Sequence, residues 1–191
     1  MSAHAATAPA SYRFTRKEYY RMGEAGLFLD KRVELLDGEI ITTPPQNPPH
    51  AGTTNHLATI FIRALGAAFS VRVQAPIVLD DWSEPEPDIT VCQLDPDNYM
   101  FVHPRADQVL LLVEVADSSL PYDRGSKTVA YARSDIPEYW IINLIDRKIE
   151  MFSDPDPVAQ RYRMERSAAA GDMLVLPGGV VLPAADILPR R

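Results

Sequence analysis

Cysteine is almost absent from this chain: Cys92 stands alone among 191 residues. A single thiol forms no internal disulfide, and the zinc-type cysteine spacings are missing. Cys92 follows an apolar run and reads as a packing residue, because a reactive thiol needs an activating environment. Long hydrophobic runs are missing too. No stretch approaches the roughly 18 apolar residues of a membrane span. Residues 1–14 have neither a basic start nor a long apolar segment, so no signal peptide is expected. The cytoplasm is therefore the expected location. There is no Gly-x-Gly-x-x-Gly, no P-loop and no Gly-x-Ser-x-Gly, which removes the motif support for dinucleotide-binding, P-loop and α/β-hydrolase classes. Positive charge is in deficit, with 19 Lys and Arg against 26 Asp and Glu and a formal net charge of −7. That disfavours a broad nucleic-acid-binding surface, which is usually basic. It leaves room for a nuclease, because a metal site is itself acidic. Basic residues gather only at Arg13, Arg16, Lys17 and Arg21, and again at Arg161, Arg163 and Arg166, and read as solvated surface charge.

What is present suits an ordinary soluble core. The chain is 46% hydrophobic and 24% charged, and its length predicts a flexible N-terminal arm over residues 1–13 followed by one domain over 14–191. Thr15-Arg-Lys-Glu18 has the capping-box pattern and predicts a short helix to about Gly23 or Gly26. Asp37-Gly38, flanked by Arg32–Leu36 and Glu39–Thr43, is a hairpin signal. A proline-rich loop is expected over 44–49. A helix follows with Leu57, Ile60, Phe61, Ala64, Leu65 and Ala68 at helical spacing. Strands are expected over Val71–Leu79, Asp88–Cys92 and Val109–Val115, then a loop over 116–122 and a helix over Asp123–Arg133. Later strands at 138–144, 147–153 and 161–166 and a last hairpin at 173–182 complete the order. The order predicts an α+β fold, a mixed sheet flanked by helices with extra antiparallel strands.

Glu114 is the most informative residue. It sits in Val109-Leu-Leu-Leu-Val-Glu114-Val115, a strand whose two faces are both apolar. A carboxylate there is costly unless it is paired, hydrogen-bonded or bound to a metal. Asp88, in Glu84-Pro-Glu-Pro-Asp88, opens one strand and Glu114 closes another. If the two strands are antiparallel neighbours, both acids lie at one end of the sheet. Two close carboxylates repel, and a divalent cation relieves that repulsion. Magnesium takes oxygen ligands, commonly one or two carboxylates with waters and a phosphate, so Asp88 and Glu114 form the expected metal pair for Mg2+ or Mn2+. Lys127 is the ammonium that would steady charge developing on a phosphate oxygen or orient a water. Tyr131, one helical turn later, shares the face of Lys127.

Together, Glu84-Pro-Glu-Pro-Asp88, Leu-Leu-Val-Glu114-Val, Asp123-x-x-x-Lys127-x-x-x-Tyr131 and Ile136-Pro-Glu-Tyr139-Trp140 resemble the Uma-two type of restriction endonuclease, a family within the PD-(D/E)XK nuclease superfamily. The resemblance runs from about Phe14 to about Phe152. It implies a restriction-endonuclease-like fold and a magnesium-dependent endonuclease acting on DNA. It also implies roles for Glu34, Gln74 and His50 beside Asp88, Glu114 and Lys127. The superfamily pattern places its lysine two residues after the acid, where this chain has Ala116. Lys127 stands where members with a displaced lysine carry it. Two other readings are open: a non-catalytic binding or regulatory module that keeps the fold, and a phosphoesterase or nuclease acting on a substrate other than duplex DNA. Cutting both strands of a duplex favours a homodimer.

Overall fold

The computed structural model describes residues 10–189; of the expected arm, positions 1–9 lie outside the described residues. The described chain runs α1 (Arg16–Glu24), β1 (Val33–Leu36), β2 (Glu39–Thr42), α2 (Pro48–Leu65), β3 (Phe69–Val73), β4 (Ile89–Gln93) and β5 (Val109–Ala116). It continues through α3 (Leu120–Tyr122), a π-helical turn at Asp123–Lys127, α4 (Thr128–Arg133), β6 (Glu138–Asn143), β7 (Lys148–Asp156) and β8 (Arg161–Ala168). It closes with β9 (Met173–Leu176), β10 (Val180–Pro183) and α5 (Ala184–Ile187). Six strands form one sheet in the order β3-β4-β5-β6-β7-β8, and β1-β2 and β9-β10 are separate hairpins. Within that sheet β5 and β6 pair in parallel and the other neighbours antiparallel, because the helical connection α3–α4 carries the chain back across one face between them. This is the expected α+β architecture, with its extra antiparallel strands at β7, β8 and the last hairpin.

The sheet is sandwiched. On one face Leu57, Phe61 and Leu65 of α2 meet Ile89, Val91, Leu111, Val113, Val115 and Trp140. On the other, Leu112, Ala116, Tyr139 and Ile141 lie under Leu120 and Tyr131 of the helical connection. From Leu111 onward β5 therefore contributes odd-numbered side chains to one layer and even-numbered ones to the other, as strand alternation requires; at its start a register shift opposite Val91 and Cys92 puts Val109 in the second layer. Glu114 belongs to the even layer, in the strand buried on both faces. Phe61 meets Trp140 edge-on and Tyr131 meets Tyr139 edge-on, one aromatic pair in each layer.

Several boundaries differ from those the sequence predicts, each for a local reason. The strand expected over Val71–Leu79 ends at Val73, because Gln74 takes a left-handed backbone conformation (φ 47°). The proline loop expected over 44–49 stops at Asn47, whose side chain accepts a hydrogen bond from the His50 N–H and caps α2. Pro48 and Pro49 then occupy the first helical turn, where a missing N–H costs nothing. The expected loop over 116–122 is already helical from Leu120, with Pro121 again in a first turn. Strand β7 runs past Ser153 to Asp156, beyond the end of its pairing with β6, so Pro155 needs no donor on that side.

Candidate active site

Strand register brings the two acids together. Ile89 pairs with Val113 in the antiparallel β4–β5 ladder, so Asp88 and Glu114 occupy the next position, facing each other across the strand ends. The backbone ties them: the Val115 N–H donates to Asp88 Oδ2 at 2.9 Å, and the Asp88 N–H lies 3.4 Å from Glu114 Oε2. Gln74, freed by the left-handed turn that ends β3, donates from Nε2 to Asp88 Oδ1 at 2.9 Å. His50, in the first turn of α2, reaches Asp88 Oδ2 with Nε2 at 3.2 Å. Burial by itself would raise the Asp88 carboxyl, but the bonds from His50, Gln74 and Val115 outweigh it and hold the group below its ordinary range. Asp88 in turn raises the His50 imidazole, against the lowering effect of burial.

The helical connection supplies the cation. Lys127 Nζ lies 2.8 Å from Glu114 Oε1 and 3.5 Å from Glu34 Oε1, and the lysine is only 5% exposed. The Tyr131 hydroxyl donates to the same Glu114 Oε1 at 2.8 Å. Burial pushes the Glu114 carboxyl above its usual range, against the pull of Lys127. Burial would lower Lys127, yet Glu114, Glu34 and Asp123 around it hold the ammonium well above its ordinary value. Glu34 comes from β1 and is buried. It accepts from the Tyr122 hydroxyl at 3.1 Å and from the Glu86 N–H at 3.0 Å. All seven residues singled out in the sequence thus belong to one contact network: Lys127 bridges Glu114 and Glu34, Tyr131 joins it at Glu114, and Gln74 and His50 hold Asp88, whose N–H faces Glu114.

The π turn explains how the connection presents so many groups. Thr128 N–H closes back on the Asp123 carbonyl, a wide i to i+5 turn, and that carbonyl also accepts from the hydroxyls of Thr128 (2.7 Å) and Tyr139 (3.2 Å). In an α-helix each four-residue step drifts by about 40°, so three groups at that spacing spread over about 80°. One wider turn swings the drift back. Asp123, Lys127 and Tyr131 therefore stay on one line toward the sheet. Arg124, on the other side of the turn, grips Glu150 of β7 with Nε at 2.8 Å and Nη2 at 2.5 Å. Burial would raise Glu150, but the hydrogen bonds from Arg124 and Asn143 hold it at about 2.

These groups border a cavity of about 110 Å³, room for a few waters or a hydrated ion. Its charged lining is Glu34, Glu86, Asp88, Glu114, Asp117 and Asp123 against Arg32, Lys127 and, when protonated, His50. Such an oxygen-rich, net-negative lining is the donor chemistry that magnesium or manganese takes. Among the described residues no three His, Cys, Asp or Glu side chains already converge on one metal position. The reason is visible at Glu114: Lys127 and Tyr131 occupy Oε1, while Oε2 has only the 3.4 Å contact. The donor chemistry of the lining suits a divalent cation, while the two facing acids, as they stand, are engaged with Lys127, Tyr131, His50 and Gln74.

Comparison with known proteins bears on what such a site belongs to. The Uma2 family model, described as "Putative restriction endonuclease", matches residues 16–185. The chain belongs to the Uma2 family. A solved structure described as a putative nuclease belonging to DUF820, from Anabaena variabilis ATCC 29413, aligns with a TM-score of 0.70 and 11% identity. The alignment covers 91% of this chain and 97% of that one. At that identity the likeness establishes a shared fold. Comparison with curated proteins gives no match.

Among the residues of this Uma2 chain that line the cavity without having been singled out as site residues from the sequence are Arg32, Glu86, Asp117, Tyr122 and Asp123. Asp123 had a signal, since it stands four residues before Lys127 on a helical segment. Burial pushes its carboxyl up to about 6, and the Ser119 hydroxyl binds it at 2.7 Å. Glu86 had a weaker one, two residues before Asp88 on extended chain. For Tyr122 and Arg32 the linear sequence carries no signal, because their place depends on how the β1–β2 hairpin packs against the helical connection. Cys92 is buried, and burial pushes its thiol up to about 12, in keeping with a packing role. Among the described residues no helix is long and apolar enough to cross a membrane.

Proposed function

We propose that this Uma2 chain is a magnesium-dependent endonuclease of the PD-(D/E)XK kind that hydrolyses phosphodiester bonds in DNA, with its lysine supplied by the helix after the acid strand. The observation that carries the reading is the buried trio of Asp88, Glu114 and Lys127, two acids at facing strand ends with an ammonium 2.8 Å from one of them. Asp88 and Glu114 hold Mg2+ or Mn2+, with Glu34 beside them. The bound cation supplies charge to the phosphate and a lowered pKa to nearby water. Gln74 and His50 fix the Asp88 carboxylate, and Tyr131 fixes Glu114. Burial would lower Lys127, but Glu114, Glu34 and Asp123 raise it above its ordinary value, which suits it to serve as a hydrogen-bond donor and a positive charge. Lys127 orients the attacking water and stabilises charge gathering on the phosphate oxygens. The reading includes one domain, a cytoplasmic location, and a homodimer whose two-fold axis sets one site on each strand of a duplex.

The test is cleavage of plasmid and single-stranded DNA by purified protein with magnesium or manganese, with Glu114→Ala as control. Metal-dependent cleavage by wild type, lost in the variant, supports the reading. Manganese binding without cleavage of any DNA form refutes it and favours a non-catalytic module on the same fold.

A further inference from the structure

A phosphodiester is an anion, and it must enter a cavity whose lining is mostly acid. Lys127 offers little help at the entrance. It is buried and committed to two carboxylates. Arg32 is differently placed. Its backbone is pinned to the end of β2, with its carbonyl accepting from the Thr43 N–H at 3.0 Å. Its side chain lies on the cavity lining, with Nε 3.8 Å from Glu86 Oε2, beyond hydrogen-bonding distance. The two side chains are 38% and 27% exposed. The contrast with Arg124 is instructive, since that guanidinium is locked on Glu150 by two short bonds. An ion pair as loose and wet as Arg32–Glu86 contributes little to holding either partner. Arg32 is thus a cation that can change partners at small cost, at the mouth of an acidic site. The planar fork of a guanidinium also matches two oxygens of a phosphate, which an ammonium does not.

We infer that Arg32 is the phosphate-binding residue at the mouth of this site, leaving Glu86 to grip a backbone phosphate next to the carboxylates. This inference rests on the nuclease reading, which it deepens. A purely solvated arginine would have no effect on DNA binding, so binding is the readout. Affinity of wild type, Arg32→Ala and Arg32→Lys for a fluorescein-labelled mixed-sequence duplex is measured by anisotropy over a salt series, with calcium replacing magnesium. Arg32→Ala is expected to bind about tenfold more weakly at moderate salt. The slope of log affinity against log salt should shrink by about 0.9, the value for one lost phosphate contact. Arg32→Lys should keep the slope while losing part of the affinity, because charge remains and the fork does not. Thermal unfolding of Arg32→Ala should match wild type, since the half-exposed side chain makes only a loose ion pair. Wild-type affinity and slope in Arg32→Ala would overturn the inference, as would a wild type that binds no DNA. Plasmid cleavage by wild type, run in parallel, judges the nuclease reading separately. Cleavage with an unchanged Arg32→Ala slope rejects only the role of Arg32. DNA held through Arg32 without cleavage rejects only the nuclease.

Discussion

Replacing Lys127 by methionine keeps most of the buried volume and removes the one ammonium among the carboxylates. Its two partners lie at 2.8 and 3.5 Å. With an effective dielectric of about 20, each attraction amounts to about 5–6 kcal/mol. Several kcal/mol of that is offset by the desolvation of a fully buried ammonium. The net loss on breaking such a pair, with the acids left behind, is about 3–5 kcal/mol. For a chain of this length each kcal/mol moves the midpoint by about 2–4 °C, so Lys127→Met should melt roughly 6–20 °C below wild type in chelator. The variant should then respond more strongly than wild type to manganese. Among the described residues Lys127 is the buried lysine or arginine at these carboxylates, and a divalent ion would remove repulsion that the lysine had been removing. Thermal melts of both proteins, in EDTA and with excess manganese, measure both effects. Lys127→Met/Glu114→Gln should lose less stability than Lys127→Met alone, because it also removes one of the stranded charges. A midpoint within about 2 °C of wild type in EDTA would refute the claim that the pair holds the site together. An equal manganese response in the two proteins would refute the idea that lysine and cation serve the same acids.

Calorimetry should detect one manganese site in wild type and none in Asp88→Ala or Glu114→Ala; undiminished binding in either variant removes that residue from the ligand set. Asp123 should give the folded protein an unusual pH response. An acid whose folded pKa is raised takes up a proton on folding, so its contribution to stability is full below the unfolded value near 3.8 and is lost as pH rises through about 6. Urea melts from pH 4 to pH 8 should therefore show wild type losing stability relative to Asp123→Asn as pH rises, and parallel profiles would contradict the burial argument. The comparison must be between the two proteins, because Asp88 and Glu150, both held low, act in the opposite sense toward acid pH. Arg124→Gln should cost about 1–2 kcal/mol in urea, a figure discounted for the 41% exposure of Arg124. Arg124→Lys should keep part of that stability, and a loss equal to that of Arg124→Gln would mean that the charge without the bidentate grip on Glu150 carries none of it.

Much of this fold was legible because its local rules are strong. The capping box at Thr15, the Asp37-Gly38 turn and the apolar stripe of α2 each specify one local conformation, and each forms where those residues stand. The acid pair was legible for a different reason. A carboxylate inside a doubly apolar strand needs a partner, and antiparallel pairing fixes that partner within one register step. What failed was everything set by a single residue at a boundary. Left-handed Gln74 ends a strand that its apolar neighbours would continue, and Asn47 starts a helix inside a run of prolines. The π turn had no pattern to betray it, since i, i+4 spacing of Asp123, Lys127 and Tyr131 is also what a plain helix would show.

On the proposed reading, the displacement of the lysine from position 116 to Lys127 has a packing explanation that only the assembled structure supplies. Ala116 shares the face of Glu114, two residues on, so a lysine there would begin in the right direction. But Ala116 is fully buried in the layer that also holds Leu120, Tyr131 and Tyr139. The helical connection lies directly over that position, and Tyr131 already sends its hydroxyl to Glu114. A long side chain at position 116 would have to displace this packing, at a cost of about 1–3 kcal/mol or more. The same connection that closes the space also carries Lys127 into reach of Glu114 from above. Small residue on the strand and lysine on the helix are thus two halves of one arrangement, in which the cover over the acid strand supplies the charge that the strand has no room to hold.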